Sequence, residues 1–386
     1  MNVPLPIFLR IAVRTPDVFL ATAVETLRSR SARWLDYRFG RGRALAPRYI
    51  DIKMTNRCNL RCSMCGQWGT NGIYRNSSPN AFRDEMDLAA LKGLADDVGR
   101  FRPLFYLWGG EPFLSPALIP FVAYLQSRGL ICAINTNGTF LSEAAEDLVR
   151  LGVANLLVSI DGPRETHDCV RGVAGTYDKV LDGVRRVLAA RRATSSARPY
   201  LTFVVTVSKA NVHDFPEVYD TAAQLGVDFV GLQFGTFTSE EAGRAYEERM
   251  KRALGCEARS WRGFLSYDSD LDVEAVQHGV RRIREAKYPF GKYFIPDLKP
   301  EQVRDYYLSR KLMNGSCTCI VPWMRADVLP NGDVYPCIDF PDYIVGNVRE
   351  TPLTRLWNGP RYVQFRRELQ KSLFPICGRC QTLYEF

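Results

Sequence analysis

From residue 48 onward the apolar residues recur in two alternating rhythms. Short runs rich in Ile, Leu, Val and Phe predict strands at 49–54, 104–108, 131–135, 154–160, 200–207 and 228–234. Between them, apolar positions three and four apart predict helices near 87–99, 116–128, 142–151, 176–191 and 214–225. Strands alternating with helices of this length form parallel βα units, so the pattern predicts an α/β fold. In such folds ligands gather beyond the C-terminal ends of the strands, and unusual residues there carry the functional argument.

The flanks read differently. Leu5, Phe8, Leu9 and Ala12, then Phe19, Leu20, Ala23, Val24 and Leu27, lie at helical spacing, and Thr15-Pro16-Asp17 is a helix start. Residues 1–47 are therefore expected to be a helical segment. It packs as a cap on the α/β domain or, through Arg10, Arg14, Arg28, Arg30 and Arg33, meets a membrane surface. The α/β domain is expected over 48–235. Residues 236–315, with helical patterns near 240–254 and 272–287 and breaks at Pro289, Pro296 and Pro300, form a bridge. A small α+β domain follows over 316–386.

Composition narrows the class. Hydrophobic residues at 46% and charged residues at 24% are those of a soluble globular chain. The net charge of +9, from 51 Lys plus Arg against 42 Asp plus Glu, is spread along the chain, which argues against a nucleic-acid partner. Arg10, Arg14 and Asp17 interrupt the first apolar residues, and no stretch offers the ~18 apolar residues of a membrane span, so a cytoplasmic protein is expected. Of the 11 cysteines, eight cluster at 58/62/65 and at 317/319/337/377/380, a distribution for metal binding in a reducing compartment.

The first cluster lies in Asp51–Gly66, DIKMTNRCNLRCSMCG, directly after a strand. Three thiolates from one loop suit an iron-sulfur cluster or zinc. Zinc sites usually present two separated pairs of ligands, and His167, His213 and His278 all lie far from the run. A three-cysteine site leaves one position open for an exchangeable ligand, as catalytic metal sites do. At this point the chain resembles the radical S-adenosylmethionine (radical SAM) superfamily. The resemblance implies a partial (β/α)6 TIM-like barrel, with Cys58, Cys62 and Cys65 holding a 4Fe-4S cluster whose fourth iron is chelated by S-adenosylmethionine. Met64, before the third cysteine, would pack on the adenine.

Further residues carry the same resemblance. Gly109-Gly110-Glu111-Pro112, after the second strand, looks like the family's GGE motif, in which the carboxylate holds the amino group of the methionine moiety. Two glycines let a backbone approach closely, and a carboxylate accepts from an ammonium. Thr136 and Asn137, after the third strand, are similar to ribose-binding positions. The fourth strand ends in Ser159-Ile160-Asp161. By resemblance Ser159 and Arg171 help hold the cofactor, Arg171 by pairing with the methionine carboxylate. Asp161 orients the loop or touches substrate, and His167 reads as a supporting residue.

Near the C-terminus, Asn331-Gly332 predicts a hairpin that presents Cys337, and Cys377-Gly378-Arg379-Cys380 closes the set. Hairpin cysteines converging with a Cys-x2-Cys turn can make a closed four-thiolate site. This order resembles the SPASM/twitch domain, which implies one auxiliary 4Fe-4S cluster on Cys319, Cys337, Cys377 and Cys380, with Cys317 rivalling Cys319. The chain ends six residues past Cys380, so a second auxiliary cluster is not expected. Zinc is the alternative occupant.

The resemblance implies reductive cleavage of S-adenosylmethionine to a 5′-deoxyadenosyl radical, with an external electron donor such as flavodoxin or ferredoxin. The expected reaction is dehydrogenation or epimerisation of a small polar molecule, a sugar or aminocyclitol, by analogy of fold. Ribosomal-peptide maturation and lipid modification are alternatives, as is a non-catalytic cluster carrier, which would have no use for Glu111, Ser159 or Arg171. Epimerisation needs a thiol that returns hydrogen. Of Cys132, Cys169, Cys256 and Cys317, the bridge residue Cys256 is the expected donor.

Overall fold

The structure is a computed structural model, and it describes residues 15, 20, 32–78, 82–265, 271–309 and 318–384. The expected helices over 3–31 and Cys317 lie outside the described residues, apart from isolated positions. Among the described residues no helix is long and apolar enough to cross a membrane.

All six expected strands form: β1 Tyr49–Lys53, β2 Leu104–Trp108, β3 Cys132–Thr136, β4 Asn155–Ser159, β5 Tyr200–Thr206 and β6 Phe229–Gln233. Each pairs in parallel with the next, and the helices Leu88–Gly99, Leu118–Ser127, Leu141–Arg150, Thr176–Ala193 and Glu217–Leu225 fill the connections. The period-two rule sets what each strand face does. Ile50 and Ile52 of β1 are fully buried in the apolar core, while Asp51 and Lys53 face the other way, into the concave side of the sheet.

The bridge adds a seventh parallel strand, β7 Gly291–Ile295, which pairs with β6. It carries the helices Glu240–Leu254, Val273–Glu285 and Pro300–Leu308 as well. In the C-terminal region β8 Arg325–Val328 and β9 Asp333–Tyr335 form the expected hairpin, and Gly346–Asn347 is β10. The hairpin is not a separate layer. β8 pairs in parallel with β1, register Asp51↔Asp327, so one sheet runs β10-β9-β8-β1-β2-β3-β4-β5-β6-β7. The fold is thus the parallel-strand sheet of a partial (β/α) barrel with a C-terminal region grafted on its first edge.

Candidate active site

The loop after β1 is tied to the C-terminal ends of three further strands. Gly110 and Glu111 donate their backbone N–H groups to the carbonyls of Thr55 and Arg57, each at 2.8 Å. A Cβ at Gly110 would stand 2.1 Å from the Arg57 carbonyl oxygen, so the glycine pair after β2 exists first to let the cysteine loop lie against it. From β3, Asn137 donates its side-chain amide to Asn59 at 2.8 Å. From the helix after β4, Arg164–Arg171, the carbonyls of Val170 and Arg171 accept from Ser63 and Arg61.

These bonds fix the loop that carries Cys58, Cys62 and Cys65, and the three thiols lie near enough to feel one another's charge. Burial, and the charges of Cys62, Glu111 and Cys65, push the Cys58 thiol up to about 12; burial also raises Cys62, against the pull of Arg171. A bound cation would reverse the cost of holding these thiols together as thiolates. One tetrahedral zinc, with Zn–S bonds of about 2.3 Å, needs its sulfurs nearly touching. Among the described residues no three His, Cys, Asp or Glu side chains are gathered for a single ion. The donor set fits a multi-iron cluster better, since each iron takes one sulfur.

Glu111 is fully buried, and burial pushes its carboxyl up to about 7. It already accepts from Thr136 Oγ1 at 2.7 Å, Asn137 N at 2.8 Å and Phe113 N at 3.2 Å. A carboxylate has about four acceptor sites, so one remains for a ligand ammonium. Pro112 begins the short turn that follows. The Thr136 hydroxyl and the Asn137 backbone N–H thus hold Glu111, while the Asn137 side chain bonds Asn59. Arg171, also buried, pairs with Asp161 at 2.7 Å and points Nη1 at Cys62 Sγ, 3.6 Å away. Asp161 is fully buried and holds Arg171 in place through this pair. His167 accepts from Asp161 N at 3.2 Å and is kept neutral by burial, its pKa lowered to about 3. Ser159, at the end of β4, and Met64 are half-buried.

The second set also converges. Cys319, Cys337 and Cys377 pack at the edge of the core, and with Cys380 each is pushed up by burial first and then by neighbouring charges, those of the other cysteines among them for Cys337, Cys377 and Cys380. Asp339 lies among them and accepts from Cys380 Sγ at 3.1 Å and from Thr236 Oγ1 at 3.1 Å. Thr236 follows β6, and Gln381 N donates to the same hydroxyl at 3.3 Å, so the four-cysteine site is fastened beyond the C-terminal end of β6. That is the end of the sheet at which the first cysteine loop lies. Cys256 is not gathered there. Its thiol donates to the Asp342 carbonyl at 3.0 Å, at the end of the helix Glu240–Leu254.

The concave face holds charged groups that the strand alternation displays but that motif spacing passes over. Arg325 of β8 pairs with Asp51 and lies 3.5 Å from Asp327, and both carboxylates are fully buried. Lys53 is 3% exposed, and burial lowers its pKa to about 7.

Comparison with known proteins agrees with this geometry. Residues 52–222 match the Radical SAM superfamily, and residues 317–381 match the SPASM iron-sulfur cluster-binding domain. The chain is 28% identical over 333 residues to the pre-heme d1 synthase of Dinoroseobacter shibae, covering 85% of this chain and 76% of that one. It is 26% identical over 361 residues to a tungsten-containing aldehyde ferredoxin oxidoreductase cofactor-modifying protein of Pyrococcus furiosus, covering 86% and 87%. Among solved structures, Streptococcus suis SuiB shares the fold with a TM-score of 0.60 at 11% identity, over 93% of this chain and 82% of that one.

Proposed function

Because the chain is a radical SAM enzyme with a C-terminal SPASM cluster-binding domain, we propose that it oxidises a small polar molecule: one hydrogen atom would be abstracted, a cluster held by the four-cysteine site would supply the acceptor for the electron that follows, and the accompanying proton would pass to solvent. The observation that carries this is the fastening of Asp339, Thr236 and Gln381, which sets the second cysteine site beyond the strand ends where substrate would lie. When bound, the cluster and S-adenosylmethionine supply a 5′-deoxyadenosyl radical.

The chain's own residues do the rest. Cys58, Cys62 and Cys65 hold the first cluster, and Glu111 takes the cofactor's ammonium with its remaining acceptor site. Arg171, steadied by Asp161, places a fixed positive charge beside Cys62 and is the partner offered to the methionine carboxylate. Pro112, Met64 and Ser159 complete the cofactor's surroundings, with Thr136 and Asn137 supporting Glu111. Cys319, Cys337, Cys377 and Cys380 hold the auxiliary cluster. A flavodoxin- or ferredoxin-like protein delivers the first electron.

Dehydrogenation of a sugar, aminocyclitol or similar intermediate fits the polar concave face better than epimerisation, since the Cys256 thiol is spent on the Asp342 carbonyl. The Dinoroseobacter relative, a pre-heme d1 synthase, and the Pyrococcus relative, which modifies the cofactor of a tungsten-containing oxidoreductase, also favour a small molecule. Peptide modification is a second reading, favoured by 26% identity over 357 residues to a serine-type anaerobic sulfatase-maturating enzyme of Bacteroides thetaiotaomicron. The test is anaerobic turnover of the reconstituted protein with dithionite and candidate substrates. The expected result is 5′-deoxyadenosine matched by a product two hydrogens lighter; an unchanged mass with hydrogen exchanged from solvent would indicate epimerisation instead.

A further inference from the structure

Lys53 is a buried cation with no carboxylate beside it; the opposing group that acts on it is Cys65, in the first cysteine loop. Among the described residues no carboxylate comes within 4.0 Å of its Nζ, and its one hydrogen bond is to Tyr74 Oη at 3.3 Å. The ammonium otherwise lies over aromatic faces, 4.6 Å from the Tyr74 ring centroid and 5.6 Å from that of Trp108. Cation–π contacts offset part of the cost of burying a charge but use none of its three donors. Buried charges are ordinarily paired or bonded to a ligand.

A second group makes the same point independently. Trp108 is the register partner of Lys53 across β1 and β2 and shares its face of the sheet. Its Nε1–H is buried without a hydrogen-bond acceptor, whereas buried indole N–H groups usually find one. Two neighbouring strand ends thus aim unsatisfied donors into the concave side, immediately before the cysteine loop and before Gly109. The carboxylates on this face do not answer them. Asp51, two residues back on β1, is taken by Arg325, which also faces Asp327.

We propose that Lys53 and Trp108 form a subsite for a carboxylate of the substrate, so that the molecule oxidised is an organic acid anchored beside the first cluster. The inference rests on the radical SAM reading and refines its substrate class. A carboxylate accepts a charge-assisted bond from the ammonium and a second bond from the indole, which fixes position as well as charge. The adjoining aromatic faces of Tyr74 and Trp68, with ring centroids 6.0 Å apart, would pack the acid's carbon skeleton.

The subsite can be tested without knowing the substrate. The reconstituted holoenzyme is loaded with S-adenosylmethionine and treated with methyl acetimidate at constant ionic strength, and amidination of Lys53 is followed by peptide mass spectrometry against exposed Lys179. Acetate is compared with acetamide, which has its shape without its charge. The expected result is that acetate slows labelling of Lys53 by about fivefold or more while acetamide and Lys179 show little effect. Trp108→Phe should weaken that protection. Equal protection by both probes, protection by neither, or a Lys53 that no reagent reaches would overturn the proposal. If S-adenosylmethionine alone shields Lys53 as well as acetate does, the carboxylate held is the cofactor's and the proposal also fails. Cleavage of S-adenosylmethionine by the same sample reports on the underlying reading separately.

Discussion

Glu111 shows how one residue can be legible in sequence while its physics is not. Its place after two glycines marks it, but the glycines answer to the cysteine loop, and the carboxylate is already held by Thr136, Asn137 and Phe113. Its pKa is raised from 4.5 to about 7, so the folded ligand-free protein keeps a proton that the unfolded chain has lost. Stability contributed by this proton is present below about pH 4.5 and is lost as pH rises through about 7. Glu111→Gln should therefore gain on wild type by up to about 3 kcal/mol between pH 5 and pH 8 in denaturant unfolding of the apo protein. A difference that does not change with pH would show that Glu111 is ionised throughout. Arg171 was legible as a cation near the cofactor; its pairing with Asp161 and its reach to Cys62 depend on the helix Arg164–Arg171 folding back, which spacing cannot reveal. Lys53 and Trp108 needed only the alternation of DIK and YLW along paired strands, yet no motif flags them.

At the scale of elements, the six strands and their helices were readable because each combines a short apolar run with a period matching its place in the fold. β7 was not. Gly291 opens it and Pro296 follows it, so GKYFI sits among breaks, and only pairing with β6 reveals it. The hairpin of β8 and β9 was readable from Asn331-Gly332, but its union with β1 is a long-range pairing with no local signature. Gly332 has φ +90°, and a Cβ there would meet Asn347 Oδ1 at 2.7 Å. Gly332→Ala should cost about 1–3 kcal/mol through backbone strain, read as a lowered unfolding midpoint. Because the turn sets the strand that leads to Cys337, iron content at the auxiliary site should fall with it. An unchanged midpoint would mean that the turn relaxes freely.

For the whole molecule, a single sheet places two cysteine sites on one frame, the first on the loop after β1 and the second fastened beyond β6. The pairing of β8 with β1 couples the C-terminal region to the barrel, so the auxiliary site is positioned by the same sheet that positions the first. The division into a barrel over 48–235, a bridge over 236–315 and a domain over 316–386 is therefore a division of chemistry along the chain more than of packing. The measurement that bears most directly on the account is iron and sulfide content, with EPR of the reduced protein, for anaerobically reconstituted wild type beside a Cys58/Cys62/Cys65→Ala variant. Two four-iron clusters would give about eight irons in wild type and about four in the variant, with the auxiliary signal retained. About four irons in wild type, with zinc at the C-terminal cysteines, would contradict an electron-accepting second site.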